Sequence, residues 1–304
     1  MAALYGHEGV VRLLLDREDV DRNRPGKNDQ TPLASAAING HEGVVRLLLE
    51  QENIDPNRPN ANLRTPLGCA ALKGHEGVVK LLLGREIVDP NRPDKNGYRP
   101  LGLATFYGHQ GVVKILLGRE NTDPDWPDKS GNGPLGLAAF YGHDDVVSLL
   151  LDRGDVDHNR PGINDQTPLA NAAVNGHEAV VKLLLEQENV DPNRPNANDR
   201  TPLGCASLKG HEGVVKLLLG RENIDPDQPD MDGDGPLRLA ALYGHEGVVK
   251  LLLDREDVDR NRPGKNDQTP LASAAVNGHE GVAKLLLEQE NVDPIAQTRM
   301  IEHH

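Results

Sequence analysis

Apolar residues in this chain fall into two alternating kinds of short cluster, and residues 31–64 serve as the type. Thr31-Pro32 reads as a helix start: Thr caps free amides, and Pro is tolerated at the first helical position. Leu33, Ala36 and Ala37 then share one face of a short helix, which Gly40 ends by taking the left-handed conformation. A second helix is predicted from about His41 to Gln51. Its Val44, Val45, Leu47, Leu48 and Leu49 form a wide apolar stripe, while Glu42, Arg46 and Glu50 face water. Pro56 and Pro59 force the next segment, Asn53 to Asn60, into an extended course. Asn60 to Arg64 reads as a turn, most clearly in its equivalent Asp94-Lys95-Asn96-Gly97.

The whole pattern returns every 34 residues. Its Gly-His pair stands at Gly6-His7, Gly40-His41, Gly74-His75 and Gly108-His109, and continues in register to Gly278-His279, nine copies in all. Each unit leaves an apolar face open until a neighbour covers it, so the repeat is the unit of structure. The predicted fold is all-α, an α-solenoid of helix pairs joined by turns and extended loops, roughly 80–90 Å long at one layer per repeat. One array spans 1–304: an incomplete repeat at 1–30; full repeats at 31–64, 65–98, 99–132, 133–166, 167–200, 201–234 and 235–268; a last repeat at 269–292; and a tail at 293–304. Three kinds of repeat alternate, and residues 17–37 recur identically at 255–275, which reads as block duplication.

A length of 304 ordinarily suggests two globular domains, but stacked repeats grow in one dimension without a thicker core. Aromatic content of 3% suits thin layers of Ala, Leu and Val. The net charge of -14 argues against nucleic acid, whose phosphates need an excess of Lys and Arg. Apolar runs are too short to span a membrane, and the first residues lack the basic start of a signal peptide. Cys69 and Cys205 occupy the same repeat position four periods apart, about 40 Å by layer spacing, far beyond disulfide reach. They read as small core residues of an intracellular, cytoplasmic protein.

Thr31-Pro32-Leu33-Ala34-Ser35-Ala36-Ala37-Ile38-Asn39-Gly40-His41, with the following Val-Val-x-Leu-Leu-Leu helix, resembles the ankyrin repeat over nearly the whole chain. The loop from Asp89 to Asp94 resembles that of fungal ankyrin arrays attached to NTPase-bearing immune-type receptors. The period exceeds the family's usual one by a residue. The family's His after Thr-Pro-Leu is replaced by Ala34, Gly68, Gly102, Gly136, Ala170, Gly204, Arg238 and Ala272. The glycine that usually follows the second helix is replaced by Asn53 or Asp19, with Asn the next-best residue for a left-handed cap.

Catalytic chemistry finds no foothold in this pattern. The repeat histidines lie one period apart on successive layers, so they cannot converge, and a structural role bonding each repeat's turn backbone is expected. His7-Glu8 begins a zinc-protease helix motif, but Val11 stands where its second histidine belongs. No Gly-rich loop with Lys-Ser/Thr cradles a nucleotide. Asp230-Met231-Asp232-Gly233-Asp234-Gly235 imitates the start of a calcium loop, but Ala241 replaces the bidentate Glu. Neither metal nor cofactor is expected, and the chain is read as no enzyme.

Aromatic residues are the informative signal, since six of eight fall between Tyr98 and Tyr141. In the ankyrin family, partners meet the turn tips and two adjacent positions near the end of the first helix. The first of these positions is always apolar (Ile38, Leu72, Phe106, Phe140, Val174, Leu208, Leu242, Val276) and suggests packing between repeats. The second, including Asn39, Lys73, Tyr107, Tyr141 and Tyr243, is expected to be exposed. Tyr98, Tyr107, Trp126, Asn132 and Tyr141 are therefore the candidate contacts for a protein partner on the concave face. Turn tips carrying Lys27, Arg64, Lys95, Lys129, Arg200 and Lys265 suggest a concave edge more basic than the whole. Neither end carries a polar capping repeat, so the chain is expected either to be a fragment of a longer protein or to associate through its ends. A recognition module is expected to be monomeric, a spacer or rod to self-assemble. Glu302-His303-His304 reads as an expression tag and is set aside.

Overall fold

The computed structural model describes residues 1–293; the tail from residue 294, Glu302-His303-His304 included, lies outside the described residues. Among the described residues every regular element is a helix. The chain divides into two compact units, one of Met1–Ala138 with Asp145–Asp157, the other of Ala139–Asp144 with the chain from His158 onward.

The first unit contains α1 (Glu8–Leu15), α2 (Pro32–Ile38), α3 (Glu42–Leu49), α4 (Pro66–Lys73), α5 (Glu76–Leu83), α6 (Pro100–Phe106) and α7 (Gln110–Leu117). Helices α2, α4 and α6 pack in succession, as do α1, α3, α5 and α7, and each pair also packs internally. Residues of α8 (Pro134–Tyr141) and α9 (Asp144–Leu151) belong to both units. The second unit repeats the arrangement with α10 (Pro168–Asn175), α11 (Glu178–Leu185), α12 (Pro202–Lys209), α13 (Glu212–Leu219), α14 (Pro236–Tyr243), α15 (Glu246–Leu253), α16 (Pro270–Val276) and α17 (Glu280–Leu287). The expected stack of helix pairs is what forms, and the core is the thin Leu, Val and Ala layer between them.

Local sequence sets both ends of the first helices. Thr31 Oγ1 accepts from Ala34 N at 3.1 Å, and Thr65, Thr167, Thr201 and Thr269 do the same in their repeats. Arg99 and Gly235 replace that Thr, and α6 and α14 begin without a side-chain cap. At the other end Gly40 takes φ +74, and a Cβ there would stand 2.7 Å from Nδ1 of His75 in the next repeat. That imidazole lies over the glycine and its Nε2 donates to the Ile38 carbonyl at 3.1 Å. The same bond joins His41 to Leu4, His109 to Leu72, His177 to Phe140, His211 to Val174, His245 to Leu208 and His279 to Leu242. The histidines thus bond the preceding repeat's first helix and not their own turn. The Gly-His pair couples neighbours because glycine supplies both the left-handed φ and the room for the next ring.

A second glycine does a different job. The carboxylate of Glu8 lies where a Cβ on Gly43 would be, and Glu42, Glu76, Glu178, Glu212 and Glu246 cover Gly77, Gly111, Gly213, Gly247 and Gly281 alike. Where this glycine becomes Ala179 the preceding acid is the shorter Asp144, and where it becomes Asp145 the preceding residue is the uncharged Gln110.

The extended loops overturn the expectation of a left-handed cap at Asn53. Of the copies of that position only Asn291 has positive φ, and the second helices end in right-handed residues such as Glu50. An asparagine of the preceding repeat holds the loop instead. Asn23 Nδ2 donates to Asn53 O at 2.6 Å, and Asn23 Oδ1 accepts from Asp55 N at 3.0 Å. Asn57, Asn159, Asn193 and Asn261 make the same double bond in their turn. An amide carries donor and acceptor on one side chain, so it satisfies a carbonyl and an N–H that a left-handed turn would otherwise serve.

Candidate functional site

Turn tips and first-helix ends make one continuous face in each unit, because tips bond to tips. Ala61 N donates to Asn28 O, Lys95 N to Asn62 O and Lys129 N to Asn96 O at 2.9–3.0 Å in the first unit; Ala197 N bonds Asn164 O and Met231 N bonds Asn198 O in the second. A buried Asn or Asp closes the tips at Asn60, Asp94, Asp128, Asn196 and Asp230, whereas those at Gly26, Gly162 and Gly264 are short 3-10 turns. Asp94 Oδ1 accepts from Asn96 N and Tyr98 N, and Asp128 Oδ1 from Ser130 N and Asn132 N. Tyr98 and Asn132 therefore occupy the last position of two successive tips.

On this face Tyr98 meets Phe106 edge-on with ring centroids 5.7 Å apart, Phe106 meets Tyr107 at 4.8 Å, and Tyr107 stacks on His109 at 6.1 Å. Gly102, at the position of the family's His, leaves room for the Tyr98 ring, 3.4 Å from where a Cβ would stand. Tyr107 remains 51% exposed, although His109 lies against one of its faces. Phe106, expected only to pack between repeats, is the ring that joins the two tyrosines. The pattern held no signal for this, since its position is apolar in every repeat. It is half-buried, as are Ile38, Leu72, Val174, Leu208 and Leu242, while Phe140 and Val276 are exposed, so this row is a partly wetted shoulder and not core.

Trp126 is engaged elsewhere. The Arg99 guanidinium lies 3.5 Å from its ring centroid and also approaches Asn91 and Asp123 on the extended-loop side. Burial lowers the Arg99 pKa, and Asp123 and Asp89 oppose that shift. In the second unit Tyr141 is 41% exposed, meets Phe140 at 5.0 Å and stacks on His143 at 6.1 Å; Tyr243 stacks on His245 at 6.4 Å. Tyr107, Tyr141 and Tyr243, each two residues before a repeat His, thus lie stacked on that imidazole, whereas Tyr5 is tilted to His7.

The acidic tip at Asp230 turns two of its three carboxylates inward, Asp230 and Asp234, and leaves Asp232 exposed. Asp230 Oδ1 accepts from Asp232 N and Asp234 N, its Oδ2 pairs with Arg200 at 2.5 Å, and Asp234 pairs with the buried Arg238. Those oxygens close the turn and the next layer, which accounts for the resemblance to a calcium loop. Among the described residues no three His, Cys, Asp or Glu come together to hold a metal ion. Burial pushes the thiols of Cys69 and Cys205 up to about 11, so both stay protonated and unreactive at neutral pH.

A family model described as ankyrin repeats (three copies) matches residues 1–94, 57–125, 78–161, 135–230 and 221–298. The chain belongs to the ankyrin-repeat family. Ankyrin repeats are in general protein–protein interaction modules, and here they run through both units. No curated protein matches the chain. No described helix of this ankyrin array is long and apolar enough to cross a membrane.

Proposed function

We propose that this ankyrin array recognises a protein partner, without catalysis, through the face that carries its turn tips and first-helix ends. The exposed Tyr107, held between His109 and Phe106, carries the reading. A ring fixed before docking loses little conformational entropy on contact, and Tyr and Trp are frequent hot spots. Tyr98, Tyr107 and Asn132 on this face, with Trp126 on the adjoining extended-loop side, are the contacts proposed in the first unit and Tyr141 in the second, inside one array spanning the chain in an intracellular compartment. Replacing Tyr107 or Tyr141 by Ala is expected to weaken capture of the partner by over about 1 kcal/mol each. Unchanged capture by both variants removes these tyrosines from the site. The narrower reading, a sensor array of a fungal immune-type receptor whose NTPase lies outside this chain, rests on the loop from Asp89 to Asp94.

A second reading, a spacer that self-associates, draws on exposed apolar side chains of α1 and α17: Leu13 is 70% and Leu287 58% exposed. Light scattering separates the two. A rod-former grows with concentration, while a recognition module stays monomeric.

A further inference from the structure

Cations and carboxylates are sorted unequally on the tip face. In the first unit, the tips and first helices spanning 60–75, 94–109 and 128–132 hold only two carboxylates, Asp94 and Asp128. Both are buried, at 5% and 9% exposure, and spend an oxygen on closing their own turns. Outward from the same segments stand Lys73, Lys95 and Lys129, all exposed and none in an ion pair with another described residue. Arg64, the other tip cation there, is spent on Asp94 at 2.6 Å.

The equivalent row in the second unit is different. Exposed Asp165 matches the exposed Asp29 of the first unit's leading tip, but exposed Asp199 and Asp232 stand where the lysine-bearing stretch has Leu63 and Asn96, and Lys265 pairs with Asp232 at 3.0 Å. The residue 33 positions before each tip lysine decides the matter: neutral Asn62 precedes Lys95 and neutral Asn96 precedes Lys129, whereas Asp232 precedes Lys265. A chain of net charge -14 thus keeps one stretch of exposed lysines without counter-charge, around the ring cluster of Tyr98, Phe106 and Tyr107.

The geometry points to an acidic polypeptide segment as the occupant of this face, its carboxylates on Lys73, Lys95 and Lys129 and an apolar or aromatic side chain on the Tyr107 cluster. This deepens the recognition reading above and rests on it. Successive tips lie about 10 Å apart, a span that roughly three residues of extended chain cover. Elsewhere the acidic surface repels such a segment, so the charge pattern selects place and orientation more than it adds affinity.

The test uses the full chain and a fluorescein-labelled peptide in which Glu alternates with Gly around a central Phe. The peptide is expected to bind, with affinity falling as salt rises. Lys95→Glu with Lys129→Glu should lower the affinity by about tenfold or more, with circular dichroism unchanged. Lys114→Glu with Lys182→Glu, the same charge change on exposed second helices, should leave it within about twofold. No binding by the wild-type chain, an equal loss in that control pair, or equal binding of single-stranded DNA overturns the proposal. If the peptide fails while capture of the natural partner still depends on Tyr107, the recognition reading stands and only the acidic chemistry falls.

Discussion

Asp227 interrupts the asparagine ladder, and replacing it by Asn should stabilise the second unit at neutral pH. The preceding rung shows what is missing. Asn193 donates to Asn223 O at 2.6 Å and accepts from Asp225 N at 3.0 Å. Asp227 keeps only the acceptor half, taking a bond from Asp259 N at 2.8 Å, because a carboxylate has no proton for the carbonyl of residue 257. Burial raises the Asp227 pKa, against the bond from Asp259. Since the side chain is only half-buried, its charge keeps much of its water and the restored hydrogen bond dominates, about 1 kcal/mol. With a urea slope of about 2 kcal/mol per molar, Asp227→Asn should raise the midpoint by about 0.5 M. The sign with pH follows from the raised folded-state pKa. Above it the carboxylate is ionised in both states and the variant's advantage is full. As pH falls through it the folded wild type takes up a proton, regains a donor, and the advantage shrinks. Asn193→Asp should show the mirror image, a loss at neutral pH that acid relieves. An Asp227→Asn variant no more stable than wild type, or one whose advantage grows in acid, refutes the reasoning.

Three other perturbations test separate devices. Leu63 holds φ +58 at a tip whose counterpart, Asp199 at φ +56, lies in an otherwise identical Ala-Asn-x-Arg-Thr turn; Leu63→Asp should gain about 1 kcal/mol in urea unfolding. The two glycine classes should separate in the same assay. Gly244→Ala forces a left-handed alanine against His279 and should cost about 2 kcal/mol, whereas Gly213→Ala displaces only the Glu178 carboxylate, gains helix propensity, and should stay within about 0.5 kcal/mol of wild type. Cys69 and Cys205 should resist alkylation in the native chain and react at the rate each unit opens; fast labelling of either contradicts its burial.

The period, the helix pairs and their ends are legible in the sequence because they depend on residues within one repeat: Thr31-Pro32, Gly40 and the stripe of α3. Exposure of the second position near each first-helix end is legible too, since Asn39, Lys73 and Tyr107 are polar or amphipathic where Leu33 and Ala37 are not. Contacts between repeats are harder to read. The His75 bond to Ile38 and the Asn23 bonds to Asn53 and Asp55 link residues 30 to 37 positions apart, and one repeat alone contains neither pair. The candidate site divides in the same way. Tyr107 is identifiable by its register. The Arg99 guanidinium on Trp126 follows from an exception at the helix cap combined with an exception in the next loop, and neither residue announces the other. Arg64 reads as a free tip cation until Asp94, 30 residues on, takes it.

That seven of the repeat histidines are pinned to the repeat before them is the claim on which the rest depends, and nitrogen-15 spectra of the imidazoles test it directly. A carbonyl acceptor requires a proton on Nε2. His41, His75, His109, His177, His211, His245 and His279 should therefore all appear as the Nε2–H tautomer, with slowly exchanging protons coupled to the carbonyls of Leu4, Ile38, Leu72, Phe140, Val174, Leu208 and Leu242. Rings that average between tautomers and exchange freely with water, or two that share an ion, would contradict the stack.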